Sequence, residues 1–177
     1  MKKRTFLIAS IALLVAAVGC SKIAELLTFS LNYTTKISVP PSSSLNLPFD
    51  LFTTDITTNS ETEFSTRGTN KDHIDEVKLK TMRLAITSPS DQRFDFLSSV
   101  EVYMKADGLG ELKIAESQAI PDNVGATLDL TVAANDLAPY VKKDKFTLRA
   151  KVVSKKATSR QINIDVTSSF DVKAKLL

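Results

Sequence analysis

The chain has 177 residues, and 23 Lys and Arg stand against 20 Asp and Glu, for a net charge of +3. Three of the basic residues are Lys2, Lys3 and Arg4, so the remainder carries 20 basic against 20 acidic side chains and is formally neutral. That balance excludes the basic footprint of a nucleic-acid partner and bulk attraction to anionic lipid. One cysteine, one histidine and no tryptophan exclude an internal disulfide and a Cys/His zinc set, and they argue against a tryptophan sugar platform.

The chain opens on the cationic Lys2-Lys3-Arg4. An apolar run of 13 residues follows, Phe6 to Val18, interrupted only by Ser10. This length is that of a signal-peptide core and is short for a bilayer span. Ala17-Val18-Gly19-Cys20-Ser21 then resembles the lipobox of bacterial lipoproteins, with Ala17 where the family most often carries leucine. The resemblance covers residues 1–21. It implies cleavage between Gly19 and Cys20 and lipid attachment at Cys20. A thiolate forms the required thioether, and small residues before it admit the peptidase. One acyl chain binds only marginally at about 0.8 kcal/mol per buried CH₂, so two or three chains are needed for durable anchoring. Ser21 implies sorting to the outer membrane in families that retain lipoproteins in the inner membrane through an acidic residue at that position.

Residues 20–28 form a short tether. Extended at about 3.3 Å per residue, Ser21 to Thr28 reach only about 26 Å, which holds the following domain near the lipid headgroups. Residues 29–177 are expected to form one domain.

Period-two alternation dominates that domain. Phe29, Leu31, Tyr33, Ile37 and Val39 alternate with polar residues, and Pro40-Pro41 ends the run. Leu45, Leu47, Phe49 and Leu51 continue on odd positions. The phase then slips to Phe52 and Ile56, which predicts a bulge or bend. Asn59 or Ser60 is placed to cap a short helix over Glu61–Phe64. Val77 and Leu79 precede Met82, Leu84 and Ile86, with a second slip at Lys80-Thr81. Val100, Val102 and Met104 form a strand; Leu112-Ile114 and Leu128-Leu130-Val132 form shorter ones. A second short helix is expected after Asn135 or Asp136, with Leu137, Tyr140 and Val141 on one face. Phe146, Leu148, Ala150 and Val152 alternate with polar residues. From Ile162 to Ala174 the even positions are apolar, apart from Ser168, and the odd ones polar. This last run reads as one long strand, or two with a break at Ser168-Ser169. With Phe146–Val152 it reads as an antiparallel hairpin.

Ser88-Pro89-Ser90-Asp91, Asp107-Gly108-Leu109-Gly110 and Pro121–Gly125 are turn-formers. About eight short strands with one polar face each predict an all-β, antiparallel β-sandwich, immunoglobulin-like or similar, after the N-terminal signal helix. A closed barrel around a cavity is the alternative. Bulky aliphatics and Phe49, Phe52, Phe64, Phe94, Phe96, Phe146 and Phe170 favour a filled sandwich core; an apolar groove for a lipid or hydrophobic peptide is the other reading. The fragment Leu84-Ala85-Ile86-Thr87-Ser88-Pro89 is similar to late-embryogenesis-abundant-like sandwich domains, in which a strand ends at a proline.

Catalytic and metal chemistry is sparse. His73 lies among Asp72, Asp75 and Glu76 with no second histidine to complete a site. Asp107–Glu111 lacks the alternating oxygen ligands of a calcium loop. Asp50, Asp55, Glu61 and Glu63 read as solvated acids. No nucleophile elbow or phosphate loop occurs. The sequence therefore predicts no enzyme, no cofactor and no metal site. It predicts a membrane-anchored envelope lipoprotein acting as a structural or interaction module, with membrane lipid as partner through acylated Cys20 and an envelope protein as a further partner. A carrier of lipid or another hydrophobic ligand is the alternative, and an envelope hydrolase built on His73 ranks last.

Overall fold

The computed structural model describes residues 28–42 and 45–175. The expected signal segment 1–19, the expected cleavage and lipid-attachment residues Gly19 and Cys20, and the expected tether as far as residue 27 lie outside the described residues; Thr28, the last tether residue, already belongs to a strand.

Ten strands build two antiparallel sheets. β1 (Thr28–Val39), β10 (Ile162–Ala174), β4 (Ile74–Ser88) and β7 (Thr127–Asp129) form a four-stranded sheet in that order. β2 (Pro48–Phe52), β9 (Lys145–Ser154), β5 (Leu97–Ala106), β6 (Leu112–Ser117) and β8 (Thr131–Val132) form the second, and β3 (Ile56–Thr57) also pairs with β9. The protein is a β-sandwich. Among the described residues it has ten strands where about eight are read from the sequence, because β3 is a separate two-residue strand and the Leu128–Val132 run divides into β7 and β8. Each sheet ends in open edges, so the barrel alternative does not hold.

The alternation sets the core. Every even residue of β10 from Ile162 to Ala174 is buried, Ser168 included. The strand runs unbroken through Ser168, whose small side chain is tolerated at a core-facing position. Its hydroxyl points towards the carbonyl of Tyr33 at 3.5 Å. Phe146, Leu148, Ala150 and Val152 face inward from β9, and Val100, Val102, Met104 and Ala106 from β5. Phe170 on β10 and Phe146 on β9 meet across the sandwich with ring centroids 6.2 Å apart, and Tyr33 packs edge-on against both. These rings close the space between the sheets.

The two phase slips are register devices. On β4, Thr81 faces Ser169 and Leu79 faces Phe170, so Lys80 is the extra residue of a bulge. Lys80 and Thr81 are consecutively exposed, and Leu79 and Met82 both stay buried. On the other sheet, Phe52 faces Arg149 and Ile56 faces Phe146, so the β2–β3 edge carries one residue more than β9 over this stretch. Thr53 holds that corner by exchanging backbone and side-chain bonds with Leu148, at 3.0 and 2.9 Å.

Three expectations fail. β9 and β10 do not form a hairpin: they lie in opposite sheets, and the connection after Ser154 crosses between them. Periodicity reports which face is buried and says nothing about which neighbour supplies the ladder. Leu128–Val132 is likewise not one strand: β7 pairs with β4 and β8 with β6, and the chain changes sheet at Leu130. Phe52 is not core; it is 66% exposed on the outer face at the end of β2. Leu45 and Leu47 are exposed too and precede the strand.

Two helices are present where expected. α1 (Ser60–Ser65) buries Phe64. Asn59 adopts φ 49° there and makes no side-chain cap, contrary to the capping reading. α2 (Ala138–Val141) follows Asp136, whose Oδ1 accepts from the backbone N–H of Ala138 and of Val77, both at 3.0 Å. Asp136 thereby ties the helix to β4.

Candidate functional site

The densest polar constellation lies on the outer face of the six-stranded sheet. Arg149 stands outward on β9, between β2 and β5. Its guanidinium donates to both oxygens of Glu111 and to Asp50 at 2.6 Å. Its Cζ lies 4.3 Å from the centre of the Tyr103 ring. The Arg149 side chain is 20% exposed, so the charge is partly desolvated and fully partnered. Bonding to Arg149 holds the Glu111 carboxyl below its ordinary value and pushes the guanidinium up.

The network continues along the same face. Tyr103 Oη donates to Glu101 at 3.1 Å, and Lys113 pairs with Glu116 at 2.7 Å. Here the β6 register matters. Val102 faces Ala115 and Tyr103 faces Lys113, so Ile114 is a bulge residue. Ile114 and Ala115 both turn inward, and Lys113 and Glu116 remain on the outer face beside Glu101. Each cation satisfies an acid. The arrangement fixes strand positions and offers no unpaired nucleophile, general base or anion cradle.

The residues singled out in sequence do not converge. His73 is half-buried in the turn before β4, its Nδ1 2.8 Å from Asn70 Oδ1. Asn70 also accepts from the backbone N–H of Asp72 and His73. Asp107–Gly110 is the β5–β6 turn: Leu109 N–H bonds the carbonyl of Ala106 at 3.1 Å, and Gly108 supplies φ 71°. The acidic stretch disperses. Asp50 goes to Arg149, Asp55 to Lys145, and Glu63 to Arg67 at 2.8 Å. Among the described residues, no group of His, Cys, Asp and Glu side chains is placed to hold a metal ion, and no helix is long and apolar enough to cross a membrane.

Cavities are shallow. A depression of about 430 Å³ opens over Pro41, Ser42 and Ala157–Ser159. Another of about 290 Å³ runs between Ser30–Tyr33 of β1 and Thr57–Asn59, Glu63 and Arg67. Both are lined mainly by polar residues, and Phe146, Phe170, Met82, Met104 and their neighbours pack the space between the sheets. Sequence reading missed the Arg149 network. Alternation marks Asp50, Tyr103, Glu111 and Arg149 as outward or loop residues; their convergence depends on β9 lying between β2 and β5.

No protein-family model matches the chain, and no curated protein matches it. Solved structures with partial likeness include the C-terminal domain of a chitobiase from Bacteroides fragilis, at 15% identity and TM-score 0.33 over 74% of this chain and 66% of that one. The chain thus spans just under two thirds of that domain. A decameric BFDV capsid protein aligns at 9% identity and TM-score 0.39 over 84% of this chain and 98% of its own. A CBM32 module of a family 31 glycoside hydrolase from Clostridium perfringens aligns at 6% identity and TM-score 0.31, over 79% and 75% respectively. At such scores these likenesses carry no functional argument.

Proposed function

We propose that this protein is a cell-envelope lipoprotein, held at the membrane by lipid on Cys20, whose β-sandwich works as a non-catalytic structural or interaction module. The observation that carries this reading is the succession Lys2-Lys3-Arg4, the apolar run Phe6–Val18 and Gly19-Cys20-Ser21. Cys20 has no second cysteine to pair with, so lipidation has no structural competitor. The near-neutral domain adds support: without a basic face, acyl chains and not surface charge must supply membrane affinity. Ser21 favours the outer membrane as the destination.

Seven residues, Ser21 to Leu27, separate Cys20 from Thr28, where β1 is described to begin, and this short span supports a domain held close to the lipid surface. The paired acids and cations of the outer face suit a scaffold. The filled interior gives no specific support to the carrier alternative, which needs space for an acyl chain.

The test is Cys20→Ala in the full-length chain. Loss of labelled palmitate and release from the membrane fraction are expected. Retention of label, or unchanged membrane fractionation, contradicts the proposal.

A further inference from the structure

The two sheets end in four edges, and three of them are blunted. An edge strand displays unpaired N–H and C=O groups that template another strand. Proteins suppress this with shortness, proline, charge or bulges. β7 has three residues and β8 two. β2 begins at Pro48, and its irregularity at Thr53–Asp55 separates it from β3. β1 is neither short, nor interrupted by proline, nor bulged. It pairs with β10 over twelve consecutive residues without a shift. It contains no proline, a single charge at Lys36, and a high share of β-branched and aromatic residues. Among the described residues, no backbone group of Thr28–Val39 bonds a backbone group outside β10.

A second observation falls on the same side of the sandwich. Among the described residues, the exposed large hydrophobics are Leu45, Leu47 and Phe52, all in or beside β2. β2 packs against β1, and Tyr33 Oη on β1 donates to the Thr58 carbonyl just past β3 at 3.0 Å. An open ladder and the exposed apolar side chains thus share one flank.

We propose that β1 pairs antiparallel with β1 of a second copy, joining the two four-stranded sheets into one continuous sheet. A two-fold pairing needs a strand that tolerates itself. The outward row of β1 is Ser30, Asn32, Thr34, Lys36 and Ser38. Only the register that sets Lys36 against its own copy brings like charges face to face. Registers centred near Asn32 to Thr34 overlap more of the strand and place Lys36 opposite a neutral residue. The same two-fold carries the β2 flanks of both copies towards each other, so Leu47, which keeps the inward phase of Phe49 and Leu51, loses water in the same contact. This deepens the reading of the domain as an interaction module, and membrane anchoring would concentrate copies on one surface. The edge pairing itself is independent of lipidation.

The test uses the full-length protein in native membranes and after detergent extraction. Thr34→Cys is treated with a short bis-maleimide, and Thr127→Cys on the β7 edge is the control. A cross-linked species of twice the mass is expected from Thr34→Cys and not from Thr127→Cys. Asn32→Lys/Thr34→Lys places a lysine row along β1, so registers overlapping more than about seven residues set lysine against lysine. Self-association measured by sedimentation is expected to weaken at least tenfold, with the circular dichroism spectrum unchanged and the melting temperature no longer dependent on protein concentration. A chain that stays monomeric overturns the proposal. So does capture of a foreign protein by the Thr34→Cys variant, or an edge shielded by the chain's own N-terminal residues so that neither cross-link nor dimer forms. Because the Cys20→Ala readouts are palmitate and fractionation, failure of the anchor and failure of the pairing are told apart.

Discussion

Phe170→Ala tests the packing that closes the sandwich. Phe170 is 0% exposed and lies at the meeting of the two sheets. Its ring sits 5.7 Å from Tyr33 and 6.2 Å from Phe146, both edge-on. Truncation removes the transfer free energy of a buried phenyl and leaves a void that flanking strands cannot fill without leaving their ladders, for a loss of about 3–5 kcal/mol. The two aromatic contacts, worth about 0.5–1.5 kcal/mol each beyond area, place the value in the upper half of that range. For a domain with total stability of about 5–15 kcal/mol this is a large share. Urea denaturation is the assay. With a slope of about 2 kcal/mol per molar, the midpoint falls by about 2 M while the slope stays constant. Phe52→Ala, at the 66% exposed position, shifts stability by less than about 0.5 kcal/mol. A Phe170→Ala loss below about 1 kcal/mol would refute the filled interior.

Further outcomes follow from the polar contacts. Arg149→Ala, which strips the two acids and the Tyr103 ring of their partner, costs about 1–2 kcal/mol by urea titration, discounted because Asp50 is half in water. Glu111 is held below its ordinary 4.5 by Arg149, so its contribution is present above that value and fades as pH falls through the lowered one. Acid unfolding of Arg149→Ala should therefore show a shallower pH dependence below 4.5 than the parent. Tyr33 is pushed up to about 12 by burial, with Glu63 adding to the shift. The neutral phenol is favoured in the fold, so this stability is complete below pH 10 and is lost as pH rises towards 12. Burial and the bond to Glu101 raise Tyr103 as well, so tyrosinate absorbance should show a phase near pH 12 that is lost in Tyr33→Phe while the raised Tyr103 remains. Asp136→Ala leaves the N–H groups of Val77 and Ala138 without their acceptor and costs about 1–3 kcal/mol in thermal or urea melts.

Alternation carried most of the strand positions because half-burial leaves a period-two record in β1, β4, β5, β9 and β10. The two slips were equally legible: a one-residue bulge shifts the phase, and Lys80 and the Thr53–Asp55 corner lie at or just past the predicted breaks. Pairing was not legible. The strand periodicity of Phe146–Val152 and Ile162–Ala174 is the same whether they are neighbours or face each other across the core, and they face each other. Phe52 was misplaced because its chemistry says core and its register, opposite Arg149, says surface. The Arg149 network escaped for a related reason: Asp50, Tyr103, Glu111 and Arg149 are far apart in sequence, and only strand order brings them together. The lipobox reading at Cys20 rests on local sequence chemistry alone and lies outside the described residues.

The anchor is decided by the intact mass of the mature protein extracted from native membranes, together with its N-terminal peptide. A lipoprotein yields a chain that begins at Cys20 and carries a diacylglyceryl thioether, with a further acyl group on the amine. An unmodified Cys20, or a mature chain beginning at any other residue, would contradict that assignment.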